Sequence, residues 1–116
     1  MKSWGKLFGG FGITALAVLG LSGAAFGQSK SKSATGAAIF KTNCVLCHGS
    51  DGHSKTTLGK QLGALDLHSE EVQKKTDAEL KKIITKGQKN MPAFGVQLTT
   101  SQIDDVLAYI REWKKK

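Results

Sequence analysis

Cys44-Val45-Leu46-Cys47-His48 sets two thiols and an imidazole within five residues. Two cysteines three apart on one helical turn project to the same side. Each thiol can then form a thioether to one vinyl group of a porphyrin, and His48 can offer an imidazole nitrogen to its iron. Two other chemistries use paired cysteines. A thiol–disulfide redox motif wants a strand before it and a βαβ unit around it, and a zinc site wants four convergent ligands. No such strand precedes Cys44, and a zinc site would have to recruit His53 and His68 from a loop.

Outward from that pentapeptide the pattern is helical. Phe40 and Cys44 follow Gly36 at four-residue spacing, with Ile39 and Leu46 available to pack, so a short helix is expected from Gly36 to His48. Gly49, Ser50, Asp51 and Gly52 end it. Residues 49–75 carry four glycines and only scattered apolar side chains, and read as a long loop. Compact domains seldom hold such a loop unless it wraps something, and a large prosthetic group would supply that surface.

Farther along, Thr76 with Glu79 forms a capping box, Leu80, Ile83 and Ile84 form a stripe, and Gly87 stands at the expected left-handed cap. A helix over 77–86 is predicted. Thr99 with Gln102 makes a second capping box, and Leu98 can staple onto Ile103. The stripe Ile103, Val106, Leu107, Ile110 and Trp113, with Tyr109 alongside, then defines the last helix. No segment alternates with a period of two, so the expected fold class is all-α. A helical chain this short, with so few large apolar residues, needs a staple to be stable.

Lys2 and Lys6 precede an uncharged run from Leu7 to Phe26, and Ala25 and Gly27 are small residues two apart. This is a secretory signal pattern, with cleavage expected before Gln28. The alternative is a retained membrane anchor, since ~20 apolar residues span a bilayer, although five glycines make the run a weak one. Either way the bulk of the chain is expected outside the cytoplasm. Residues 28–35 are polar and read as a flexible lead-in to a domain over 36–116. Beyond residue 27 the chain holds 15 basic and 9 acidic side chains, a charge of +6. The lysines are dispersed without interleaved aromatics, which together with export argues against nucleic acid as a partner.

Residues 36–113 resemble the class I c-type cytochromes, in particular the short bacterial members with one haem. The resemblance implies three to four short helices around one haem c, attached covalently through Cys44 and Cys47, with His48 as one axial ligand. Gly36 and Phe40 match the family's first helix where it crosses the last, and Val106 and Tyr109 match the answering face. Met91, followed by Pro92, Ala93, Phe94 and Gly95, looks like the loop that brings a methionine sulfur to the iron's other side. Taken alone, Met91 would pass for a core filler. The family's usual proline in the loop after the haem motif is missing. The matching stretch reads Ala64, Leu65, Asp66, Leu67, in which the Leu65 carbonyl remains available to accept a hydrogen bond from His48.

His48 and Met91 together would fill both axial positions, leaving His53 and His68 as solvent-exposed loop residues. The implied function is a one-electron carrier of fairly high potential, not an enzyme, since soft sulfur favours ferrous iron. Its implied partners are redox proteins, acidic where they dock, which Lys41, Lys55, Lys60, Lys86 and Lys89 would steer; the protein itself is expected to be a monomer. The expected location is the periplasm or an equivalent lumen. Two alternatives stay open: a membrane-anchored redox subunit, if the N-terminal segment is retained, and a haem sensor or peroxidase, if Met91 is not a stable ligand.

Overall fold

The computed structural model describes residues 9, 10, 12 and 31–115. The expected signal segment, 1–27, lies outside them apart from three isolated glycines, as do residues 28–30. Six α-helices follow one another: α1 (Lys32–Asn43), α2 (Val45–His48), α3 (Thr57–Leu62), α4 (Glu70–Gln73), α5 (Asp77–Lys86) and α6 (Thr100–Glu112), with a 3-10 turn over Trp113–Lys115. Among the described residues there is no strand, only an isolated bridge between Gln88 and Met91. The all-α expectation therefore holds. No helix among these residues is long and apolar enough to cross a membrane.

Three boundaries differ from the sequence reading. The lead-in expected over 28–35 is helical from Lys32, because the Ser31 hydroxyl accepts the Ala34 N–H at 3.2 Å and caps a turn that is otherwise largely exposed. The helix expected over 36–48 breaks at Cys44, whose φ of −117° departs from helical geometry, so α1 and α2 are separate elements. The loop expected over 49–75 contains α3 and α4, which raises the helix count above the expected three to four. Each is a single short turn or two, started by a hydroxyl cap: Thr56 on the Gly59 N–H and Ser69 on the Val72 N–H. Such turns carry too few residues to show an apolar stripe, so periodicity misses them.

The two longer downstream helices fall where expected. Both capping boxes close: Glu79 accepts from the Thr76 N–H at 2.7 Å and Gln102 from the Thr99 N–H at 2.8 Å. The α6 stripe is buried, with Ile103 and Val106 exposing 2% and 1% of their surface. Together with Phe40, Leu67, Val72, Leu80 and Ile84 it forms one core.

The pairing of α1 with α6 is the most extensive helix contact. It depends on Gly36, since a Cβ there would lie 2.0 Å from the Asp105 carbonyl oxygen. One turn on, Phe40 meets Tyr109 and Trp113 edge to face at 5.5 and 5.3 Å between ring centroids. The crossing that the resemblance implied is present, with Gly36, Phe40, Val106 and Tyr109 at its centre. Arg111 of α6 fastens the α4–α5 connection, donating to the backbone oxygens of Gln73 and Lys75 and to Asp77.

Candidate functional site

Cys44 closes α1 and Cys47 lies in α2, so one turn carries both thiols and His48. The sulfurs are unpaired. Burial, with Cys47 beside it, pushes the Cys44 thiol up to about 12, so it stays protonated. A thiol–disulfide motif works through a thiolate of lowered pKa, and this site is built the other way. The zinc alternative also lacks support, because neither His53 nor His68 turns toward the cysteines; both bond within their own loop.

His48 is half buried and its ring is held from one side. Its Nδ1–H faces two acceptors, the Leu65 carbonyl at 3.2 Å and the Ser54 hydroxyl oxygen at 2.9 Å. Because a carbonyl can only accept, this arrangement puts the proton on Nδ1 and the lone pair on Nε2. Nε2 has no hydrogen-bond partner among the described residues. Burial lowers the His48 pKa and the Leu65 bond opposes that, which leaves a neutral imidazole suited to a metal.

Ser54 went unrecognised in the sequence. It is buried, with a positive φ of 56°, and its hydroxyl donates to Leu65 at 2.5 Å. A lone serine in a loop carries no periodic signal, and only the fold brings it to His48.

Met91 sits in a short strap between α5 and α6. The strap folds back on itself at residues 88–91, where Gln88 and Met91 exchange backbone hydrogen bonds of 3.1 and 2.9 Å and Lys89 takes a positive φ of 52°. Gly87 enters it at φ 75°, ψ 168°, an extended exit instead of the left-handed cap expected there. A Cβ at Gly87 would come within 2.6 Å of the Met91 carbonyl oxygen, so no other residue fits. Beyond Met91, the Phe94 and Gly95 N–H groups donate to Ile84 and Thr85, tying the far end to the last turn of α5. Asn90 then donates to the Leu62 carbonyl at 3.0 Å, joining the strap to α3, and the chain from α3 runs on to Leu65 and hence to His48. One hydrogen bond thus links the Met91 strap to the segment that leads to Leu65. Met91, Val45, Ile39, Ile83, Phe94 and Leu98 form a partly buried apolar fringe on the core, and Leu46, Leu62 and Leu65 are exposed.

This donor set fits a haem c: two free thiols on one turn, an imidazole presenting Nε2, a thioether on a neighbouring strap and an apolar fringe. The family described as cytochrome c oxidase, cbb3-type, subunit III matches residues 31–110. A cytochrome c6 of Aphanizomenon flos-aquae is 38% identical over 89 residues, spanning 70% of this chain and 95% of that protein. The chain belongs to the c-type cytochromes. A second relative, the cytochrome c6 of Gloeothece citriformis, is 37% identical to the cytochrome over 82 residues, covering 70% of this chain and 71% of that one. Among solved structures, the KustC0563 c-type cytochrome superposes with a TM-score of 0.63 at 31% identity, covering 68% of this chain and 96% of the other. The cytochrome carries haem c and is an electron carrier working with redox protein partners, and not an enzyme.

His53 and His68, expected to be exposed, are only partly so. Their rings stack at 4.0 Å, and His68 also stacks on Trp113 at 4.9 Å. Asp66 lies beside both. Partial burial pushes its carboxyl up, but the hydrogen bonds from the His53 ring and the His68 N–H outweigh that and hold it below the ordinary carboxylate value.

Proposed function

We propose that Cys44 and Cys47 hold the haem as thioethers, that His48 and Met91 are its axial ligands, and that this cytochrome carries single electrons between proteins outside the cytoplasm. The observation that supports this most directly is His48 itself. Its Nδ1 is engaged by Ser54 and Leu65 while Nε2 is free, on the turn that bears both unpaired thiols.

The bound group supplies a reversible one-electron change at its iron. The protein's part is to fix the ligands and the charge around them. Ser54 and Leu65 keep the His48 proton on Nδ1 and so make Nε2 the more basic nitrogen. The Met91 thioether is a soft ligand that favours the ferrous state. With both positions taken, none is left for oxygen or a substrate. The partly buried Ile39, Val45, Ile83 and Phe94 keep water away from the site and disfavour extra charge there.

Lys41, Lys55, Lys60, Lys86 and Lys89 are all exposed, and none joins an ion pair among the described residues. They leave a free positive surface that would steer acidic partners to a monomeric carrier. Cleavage before Gln28 would release the domain into the periplasm or an equivalent lumen.

The test is a spectrum of the holoprotein in both oxidation states. A weak far-red band in the ferric form, with slow cyanide binding, supports methionine ligation, and a Met91→Ala variant should lose the band and bind cyanide at once. A high-spin ferric wild type that takes cyanide immediately would overturn the assignment of Met91.

A further inference from the structure

His53, Asp66 and His68 each offer a ligand atom, and these atoms lie within 4.8 Å of one another. They stand apart from the thiols of Cys44 and Cys47, on two loop arms clamped together by the bond from the Leu67 N–H to the Gly52 carbonyl at 2.8 Å. Nothing in electron carriage through His48 and Met91 requires them.

The hydrogen bonding around this cluster matches what metal ligands need. His68 Nε2 lies 2.6 Å from the Asp51 carbonyl oxygen, which can only accept. The proton is therefore on Nε2 and the lone pair on Nδ1, the tautomer held by a backbone carbonyl as is usual for a metal-bound histidine. His53 Nδ1 and Asp66 Oδ2 are 3.0 Å apart. Two ligands each about 2.1 Å from one ion, at roughly a right angle, have that separation. The Asp66 carboxylate is also fixed in place, since its other oxygen accepts the His68 N–H at 2.8 Å. Parallel rings do not aim their nitrogens at one point, so coordination turns one ring out of the stack. His53 can do this, with 36% of its side chain exposed, while His68 stays stacked on Trp113.

We propose that His53, Asp66 and His68 form a second metal site, for a borderline divalent ion of the zinc or copper(II) type, and that its occupancy is coupled to the haem. Two imidazoles and one carboxylate suit such ions better than calcium or magnesium, which take oxygen ligands. Water completes the coordination. The ion takes the place of the proton between His53 Nδ1 and Asp66 Oδ2, and that proton passes to His53 Nε2, so a neutral ring changes tautomer and no net proton is released.

The coupling rests on the axial role given to His48 above. His53 is next to Ser54 and Asp66 is next to Leu65, so the pair that would grip the ion is one residue along from the pair that holds His48. An added dication there favours the ferrous over the ferric state. By linkage the ferrous protein binds the ion more tightly by the same factor.

The test uses holoprotein and zinc ion alone, followed by calorimetry, with magnesium as the hard-cation control. Zinc should bind one to one, and His53→Gln and Asp66→Asn should each weaken it at least tenfold while the Soret spectrum and thermal midpoint are retained. Magnesium should not bind. The ferrous form should bind zinc about threefold more tightly than the ferric, equivalent to a rise of about 30 mV in midpoint potential. Absence of one-to-one binding, or binding by either variant as tight as that of wild type, overturns the site. Binding with no change in potential overturns the coupling. The calorimetry does not depend on Met91 or His48 ligating iron, so a failure of that assignment, read from the ferric spectrum, is separately visible.

Discussion

Adding one methyl group at Gly36 tests the whole account of how this fold closes. The new Cβ of Gly36→Ala would lie 2.0 Å from the Asp105 carbonyl oxygen, 2.6 Å from its carbon and 3.0 Å from Tyr109 Cβ. Ordinary contact starts near 3.4 Å, so α1 and α6 must separate by about 1.4 Å at this point. The obstacle is backbone on a helix held at both ends, so no rotamer change relieves it. A gap of ~0.5–1 Å already forfeits a quarter to a half of a dispersion contact. Phe40 and Val106, each 1% exposed, lie at the same crossing and would lose much of theirs. Overpacking typically costs about 1–3 kcal/mol, and a clash with main chain belongs at or above the upper figure. For a domain of this size about 3 kcal/mol lowers the melting temperature by roughly 12–24 °C. Thermal unfolding of holoprotein, followed by far-ultraviolet circular dichroism and by the Soret band together, reads it directly. Val96→Ala, at a side chain 90% exposed, is the control and should change little. If Gly36→Ala melts within 2–3 °C of wild type, the close crossing is not what holds α1 to α6, and the reasoning fails.

Ser54→Ala removes one acceptor from His48 Nδ1–H, so the ligand becomes less electron-rich and the midpoint potential should rise in a spectroelectrochemical titration, with the ferric spectrum otherwise kept. Arg111→Met deletes the clamp on Gln73, Lys75 and Asp77 and should cost about 2–3 kcal/mol in urea unfolding, since hydrogen bonds to a charged group are lost. Glu79 is held below its ordinary value of 4.5 by hydrogen bonds from the Thr76 N–H and hydroxyl. Its capping contribution is thus complete above that pH and is lost as pH falls through the lowered folded value. Glu79→Gln keeps an acceptor that cannot be protonated in that range, so its urea midpoint should fall less than that of wild type between pH 6 and pH 3. The rate of reduction by an acidic redox partner should drop as ionic strength rises, and more weakly when Lys86 and Lys89 are both changed to Gln.

What the sequence disclosed follows from the reach of its signals. Helices α5 and α6 are long enough for a stripe to repeat and are opened by capping boxes, so their limits came out nearly to the residue. The thiols and His48 are adjacent in the chain and announce themselves as a motif. Helices α3 and α4 are too short to repeat anything, and only their hydroxyl caps, Thr56 and Ser69, betray them. The early start of α1 was hidden because Lys32 to Thr35 bury almost nothing and read as a polar tail. The bonds that orient His48 were half visible: the Leu65 carbonyl was anticipated from the resemblance, while Ser54 was not. The stacking of His53 on His68 was invisible, since 15 residues of chain separate two rings that meet only once the loop arms are tied.

Gly36 and Asp105 are the meeting point of the first and last helices, and nearly the whole described chain lies between them. A polypeptide that emerges amino end first therefore makes α1 long before α6 exists to receive it. During that interval Cys44, which packs on a core made largely by α6, is uncovered, and so are its neighbours Cys47 and His48. Chemistry at the two thiols is easiest in that window and becomes harder once α6 docks. The order of synthesis thus supplies a timetable: the pentapeptide is offered early, and the contact that shuts it in forms only after α6 has been made.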